Sequence, residues 1–512
     1  MGNAQCNIVI VGGGSAGWLT AGILAAEYLH TPGIHITLIE SSDISSIGVG
    51  EGTWPSMRTT LQRIGISETD LIRCCNASFK QGSLFRQWRN NDAQDLYHHP
   101  FSPPVAAAEF DIYPHWQPYQ QQIDFAHAVS PQPRLIEAGL APKQISTPEY
   151  AFVCNYGYHL DAGKFVELLR RHCTDKLAVR HIIDNVIAVH GQPDAPIRAV
   201  QTEQHGEISG ELFIDCSGFA ALLIEQHFKI GLHQQNKVLF NDTALAVQVP
   251  YTDPQQPIAS ATLSSARQAG WIWDIGLQNR RGVGYVYSSA HTSDEAAQQT
   301  LSKYIGEQGQ DLSFRKIPIR SGYRQKLWHH NCVAIGLSAG FVEPLEASAL
   351  VLIELSARFV AEQLPLKGTD LSLVRDRFNS TFAYRWQQIV DFLKLHYVLS
   401  SRDDSDYWQD NRQPDSIPDS LQHLLTFWQH NMPSRYDFPH AEEMFPSASF
   451  QYIYYGMGKH SQLTARQSIQ RYQQRAQEEF RQTAQKARQL VSQLPGNRAL
   501  IEKIQAHGLQ TL

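Results

Sequence analysis

The sequence predicts an α/β protein, with a parallel-sheet nucleotide-binding core, an interleaved β-sheet lobe and a helical C-terminal lobe. Three observations predict it. A glycine-rich turn lies between an apolar strand and a helix near residue 12. Alternating β-branched and polar residues fill 180–217 and 236–290, the period of a sheet. Beyond about residue 366 helical patterns dominate, among aromatic clusters. At 512 residues the chain also exceeds what one hydrophobic core usually organises, so two or three lobes are expected.

Ile8-Val9-Ile10-Val11 is an unbroken apolar run, as a strand buried on both faces requires. Gly12-Gly13-Gly14-Ser15-Ala16-Gly17 follows, then helix formers over 18–28. Ile36-Thr37-Leu38-Ile39 is a second strand ended by Glu40. Gly12, Gly14 and Gly17 spell G-x-G-x-x-G. The first allows the tight turn, the second lets backbone approach a pyrophosphate, and the third lets helix pack on strand. The helix N-terminus offers N–H groups and partial positive charge to phosphates. Glu40 stands where a carboxylate can hold ribose hydroxyls. The fold is thus read as Rossmann-like. Two later segments favour FAD over NAD: a strand ending in Asp215 before a small-residue turn (211–219), and a strand running into glycines (333–341).

Residues 90–150 are rich in proline, histidine and aromatics without a long period, and read as an irregular lid or substrate insertion. Ser348 to Gln363 is strongly helical, and 464–493 reads as a surface helix. No linker cuts the chain, so interleaved lobes are expected: 1–90, 150–230 and 330–365 for the FAD domain, 91–149 and 231–329 for the substrate lobe, and 366–512 for the helical lobe.

Hydrophobic residues make up 42% and charged residues 18%, ordinary for a globular protein. A net charge of −6 without a basic run argues against nucleic acid. The seven cysteines form no CxxC pair, which fits reduced thiols in a cytoplasmic protein. The apolar run at 7–11 is too short to span a membrane and lacks the flanks of a signal peptide. Cys6 stands where a myristoylation motif wants Ser or Thr. No membrane partner is expected.

GVGE (48–51), ASFKQG (77–82), GEISGELFIDCSGF (206–219), GWIWDI (270–275), GVGYVYS (282–288), VAIGLSAGFVEPLEAS (333–348) and DFLKLHY (391–397) together resemble the flavin-dependent tryptophan halogenases. The resemblance runs from residue 7 to about 460. It implies a flavin-monooxygenase-like fold and a reduced FAD supplied by a separate flavin reductase, by transient contact or by diffusion. It implies chloride or bromide as co-substrate, and hypohalous acid made from oxygen and halide. That oxidant travels through a tunnel to a lysine beside a small aromatic substrate. By match, Lys80 is the lysine and Glu346 its partner carboxylate. Val186, Leu337 and Leu350 fall where the family packs its flavin. Ser348 and Ala349 fall where backbone N–H groups bind halide. His99 and Phe101, then Tyr454 and Tyr455, fall at substrate positions. A homodimer is left open.

The chemistry explains these residue types. An indole carbon is a weak nucleophile, so halogen must arrive as an electrophile. A closed channel keeps hypohalous acid from thiols and amines. A lysine can hydrogen-bond the acid or carry the halogen as a haloamine, and a carboxylate can take the ring proton. Taken alone, Lys80 reads as a surface lysine and Glu346 as a first-turn helix acid favoured by the macrodipole. Trp271 and Trp273 share one side of a strand, as core or as tunnel wall.

Three departures stand out. Gly276 replaces the usual proline after the WIWDI segment. Ala349 replaces a glycine, which should restrict the backbone at the halide and let bromide serve at least as well as chloride. No acid follows the paired tyrosines, where Lys459 stands instead. Free tryptophan is therefore one candidate beside indole and its derivatives. Two other readings stay open: a flavin-dependent aromatic hydroxylase, and a non-catalytic flavin-binding protein on the same scaffold.

Overall fold

The computed structural model describes residues 6–43, 50–364, 370–464 and 467–511. The chain folds into two compact units. The first comprises 1–77, 160–234 and 320–386; the second comprises 78–159, 235–319 and 387–512. The boundary at 386 falls within one long helix, Leu371–Val398.

In the first unit, six strands lie in the order Trp328–His329, Cys332–Ala334, Leu212–Asp215, Cys6–Val11, Ile34–Glu40, Arg180–Ile183. All pair in parallel except Trp328–His329. Ile8 pairs with Leu212 on one side and Ile36 on the other, so the apolar run sits mid-sheet. Val9, Val11 and Phe213 pack one face against Val200 and Ile208 of a three-stranded antiparallel sheet. The helix Ser15–Tyr28 is apolar nearly all round and buried from Gly17 to Ala25, as such a helix must be. It packs between helices Ala162–Lys176 and Ala349–Gln363.

The second unit is built on a seven-stranded sheet ordered Arg315–Pro318, Thr243–Pro250, Arg280–Tyr287, Gly270–Gly276, Thr262–Arg267, Gly82–Arg86, Leu96–Pro100. Only Thr262–Arg267 with Gly82–Arg86 is parallel. The irregular reading of 90–150 therefore needs correction. The segment opens with the edge strand Leu96–Pro100 and continues through short helices Tyr113–Trp116, Phe125–Val129 and Gln132–Glu137. Each is too short to show a period.

Trp271 and Trp273 are both buried on strand Gly270–Gly276. Trp271 meets Trp88 at 6.3 Å between ring centroids. Trp273 is paired with Gly284, where a Cβ would stand 2.1 Å from the indole. The missing side chain there makes room for the ring. The Gln467–Gln493 helix is only partly a surface helix. Ala476, Thr483, Ala487 and Leu490 are buried at helical spacing, and Leu490 and Leu494 pack with Leu135 and Cys154. All seven cysteines are free. Among the described residues no helix is long and apolar enough to cross a membrane.

Candidate active site

The glycine turn explains itself atom by atom. Gly12 has φ +117°, and a Cβ there would lie 2.2 Å from the Cys216 carbonyl oxygen. A Cβ on Gly17 would lie 1.8 Å from the Gly12 oxygen, so helix and turn meet without a side chain between them. A Cβ on Gly13 would lie 2.3 Å from the Glu40 side chain. Gly14 differs: a Cβ there would meet no atom of the described residues within 4 Å. Gly14 is also the N-cap of helix Ser15–Tyr28, and no side chain caps its first amides. Backbone donors beside open space at a helix N-terminus suit a pyrophosphate.

Glu40 stands at the end of its strand, with Oε2 accepting from His181 Nε2 at 2.9 Å and Trp18 Nε1 at 3.3 Å. Neither partner is evident from sequence. His181 comes alongside only because Arg180–Ile183 pairs with Ile34–Glu40.

Both later segments return to the turn. Gly336 has φ +79°, and a Cβ there would stand 2.6 Å from the Ala16 Cβ. Leu337 follows it, half-buried. The Ile335 amide and the Ser338 hydroxyl both donate to the Asp215 carbonyl. The Asp215 carboxylate accepts from the Ser217 amide and hydroxyl and from the Leu223 and Ile224 amides, at 2.5–3.0 Å. It thereby folds the turn that Gly12 touches. Val186 packs at the edge of the Val9–Val11 cluster, and Leu350 is buried in the first turn of Ala349–Gln363.

Glu346 lies before that helix, in the turn Leu345–Ala347. The macrodipole reading of a first-turn acid is therefore corrected. Glu346 is buried, with φ +67°, and Ala347 follows with φ +56°. Left-handed backbone costs a non-glycine residue roughly 1–2 kcal/mol, and such strain persists where surrounding structure fixes it. Trp54 Nε1 donates to the Glu346 carbonyl at 2.8 Å and helps hold the turn. Ser348 is the buried N-cap, and exposed Ala349 is the first helical residue with ordinary right-handed backbone. The expected restriction at Ala349 is thus misplaced. The left-handed positions are 346 and 347, so the argument for bromide over chloride loses its ground.

Lys80 belongs to the second unit and is 1% exposed, not a surface lysine. It ends the strand Ser78–Lys80 and pairs with Gly157. Its ammonium stands 5.3 Å from the Phe101 ring centroid, within cation–π range. His159, on the paired strand, is held well below the usual imidazole range by burial and by the Lys80 charge. His159 Nε2 also bonds Thr262 Oγ1 at 2.9 Å.

His99 Nε2 lies 3.0 Å from Ser449 Oγ, with its ring beside Phe392 and Tyr452. Tyr452 donates to the Ser102 carbonyl at 2.9 Å. The helix Ser447–Gly456 thus turns Ser449 and Tyr452 toward the 99–102 segment. Tyr455 stacks on Tyr113 at 4.0 Å, and Tyr454 lies edge-on to Trp428 at 5.6 Å. Ser449 and Tyr452 were missed in the sequence; their i, i+3 spacing is the only local signal. Lys459 is half-buried, and burial pulls its ammonium down. Of the GVGE segment, Gly48 and Val49 lie outside the described residues.

A parallel sheet with this glycine turn, and with later segments returning to it, defines a dinucleotide-binding α/β enzyme scaffold of the flavoprotein kind. Residues 7–471 match the family model for tryptophan halogenase. The structure of a tryptophan halogenase from Shewanella frigidimarina NCIMB 400 is 50% identical, with 99% of each chain covered and a TM-score of 0.96. A flavin-dependent halogenase from Brevundimonas sp. BAL3 is 30% identical over 98% of this chain and 100% of the other, with a TM-score of 0.86. The 7-chloro-L-tryptophan 6-halogenase of Kutzneria sp. (strain 744) is 32% identical over 96% of this chain and 98% of that protein. The chain belongs to the tryptophan halogenase family, whose members are flavin-dependent enzymes.

Proposed function

We propose that this chain halogenates an indole-like aromatic, namely tryptophan, indole or a derivative, using reduced FAD, oxygen and chloride or bromide. The observation that carries the reading is a lysine ammonium buried against the Phe101 ring in a chain of this family. When bound, reduced FAD would supply the two electrons and two protons by which oxygen, halide and one further proton become hypohalous acid and water. A separate flavin reductase delivers it, directly or by diffusion.

The chain's own residues do the rest. The amides at Gly14 to Gly17 hold the pyrophosphate, and Glu40 takes ribose hydroxyls through Oε1 while Oε2 stays with His181 and Trp18. Val186, Leu337 and Leu350 pack the flavin, and the Ser348 and Ala349 amides hold the halide. Lys80 delivers halogen, as a hydrogen-bond donor to hypohalous acid or as a haloamine. Glu346 removes the ring proton. His99 and Phe101 flank the ring, with Tyr454 and Tyr455 behind them. No acid follows Tyr455 to hold an amino acid's ammonium, which keeps indoles without that group among the substrates.

The test supplies the protein with FAD, a flavin reductase and either halide, over free tryptophan and a panel of indoles. Product masses with the halide's isotope pattern are expected. A halide-independent gain of one oxygen would overturn this in favour of hydroxylation. FAD binding without any product would favour a non-catalytic flavoprotein.

A further inference from the structure

On strand Leu96–Pro100 consecutive side chains face opposite sides. His99 faces Ser449 and Phe392, and His98 faces the other way. There it meets His127 of helix Phe125–Val129 and Glu137 of helix Gln132–Glu137. One ligand atom from each of the three lies within 4.8 Å of the others. From this geometry we propose that His98, His127 and Glu137 bind a divalent transition-metal ion of the zinc type, with water completing the shell.

Three observations support it. His98 is 1% exposed, yet among the described residues neither ring nitrogen makes a hydrogen bond. A buried imidazole without a hydrogen bond is costly and needs an explanation. Its Nε2 stands 3.4 Å from Glu137 Oε1 without hydrogen-bond alignment, and His127 Nε2 bonds Glu137 Oε2 at 3.3 Å. Ligands about 2.0–2.1 Å from a tetrahedral ion are about 3.3 Å apart, and each imidazole stands at about that separation from one Glu137 oxygen, His98 from Oε1 and His127 from Oε2. Asp124 Oδ2 holds His127 Nδ1 at 2.7 Å, which aims Nε2 inward as outer-shell carboxylates do for ligating histidines.

Two imidazoles and one carboxylate suit zinc better than calcium or magnesium. Glu137 is half-exposed, which leaves an entry path. The site contains none of the residues assigned to flavin or substrate. The ion would tie two helices to the strand that carries His99 on its other face, and so steady that wall of the site.

The test titrates the FAD-loaded, chelator-treated chain with Co2+. One equivalent should give the visible absorption of a low-coordinate ion, and one equivalent of Zn2+ should displace it. His98→Ala and Glu137→Gln should each weaken binding at least about tenfold. Glu137→Gln changes only a half-exposed group, so its fold is secure. Absence of a saturable single site, or equal binding by wild type and both variants, would overturn the proposal. In the latter case the proton shared by Asp124, His127 and Glu137 is all the cluster holds.

Discussion

An ammonium held at 1% exposure beside an aromatic ring gives up most of its hydration. Cation–π attraction to Phe101 returns about 0.5–2 kcal/mol of that cost. Lys80→Met keeps the length and removes the charge. It should lower halogenation by at least about a hundredfold, the lower range for a lost proton-donating group. FAD affinity should be unchanged. If turnover survives, the lysine has been misassigned. Glu346 and Ala347 are both left-handed. Ala347→Gly exchanges a steric cost of roughly 1–2 kcal/mol for a backbone-entropy cost of about 0.5–1 kcal/mol. Tm should therefore stay level or rise, while activity falls if the turn must be rigid to place Glu346. A clear drop in Tm would show that the turn is not strained.

At the scale of the strand–turn–helix element, two glycines make opposite predictions. Gly336→Ala puts a Cβ 2.6 Å from Ala16 at φ +79° and should cost about 2–4 kcal/mol, as strain plus overpacking. Gly14→Ala meets no atom of the described residues within 4 Å at φ −78°, so thermal stability should be unchanged. Its methyl instead enters the space a pyrophosphate needs, and FAD affinity should fall at least tenfold by fluorescence titration. A Gly14→Ala protein that binds FAD normally would remove the turn from the cofactor site.

This element is also where the sequence is most legible. A run apolar on both faces, a glycine at each close approach and an acid at the strand end all act locally. Partners set by long-range pairing left no such trace. His181 reaches Glu40 only across a strand pair, and Trp54 reaches the Glu346 carbonyl across nearly three hundred residues. The left-handed turn at 346–347 was hidden because no glycine marks it. The sheet edge at Leu96–Pro100 was hidden because both of its faces are covered, so Tyr97 to Pro100 are all buried and burial does not alternate.

Across the whole molecule each unit carries a buried carboxyl outside the assigned site. Glu354 accepts from Ser56 and Thr60 in the first unit, and Asp391 accepts from Ser420 and Gln387 in the second. Burial pushes Glu354 up to about 7 and Asp391 up to about 6, their hydrogen bonds offsetting only part of the shift. The folded chain therefore keeps these protons to a higher pH than the unfolded chain, whose carboxyls titrate near 4. Between those values the folded state binds more protons, so stability falls as pH rises. The contribution is complete below pH 4 and is lost as pH passes 6 for Asp391 and 7 for Glu354. For Glu354 the loss is on the order of 3 kcal/mol. Glu354→Gln has no proton to lose, so its stability relative to wild type should be higher at pH 8 than at pH 5, the gain accruing up to about pH 7. Paired urea unfolding at those two pH values measures the difference directly, because all other titrating groups cancel between the proteins. A constant difference would mean that Glu354 keeps an ordinary pKa in the folded chain, and that Ser56 and Thr60 fully offset its burial.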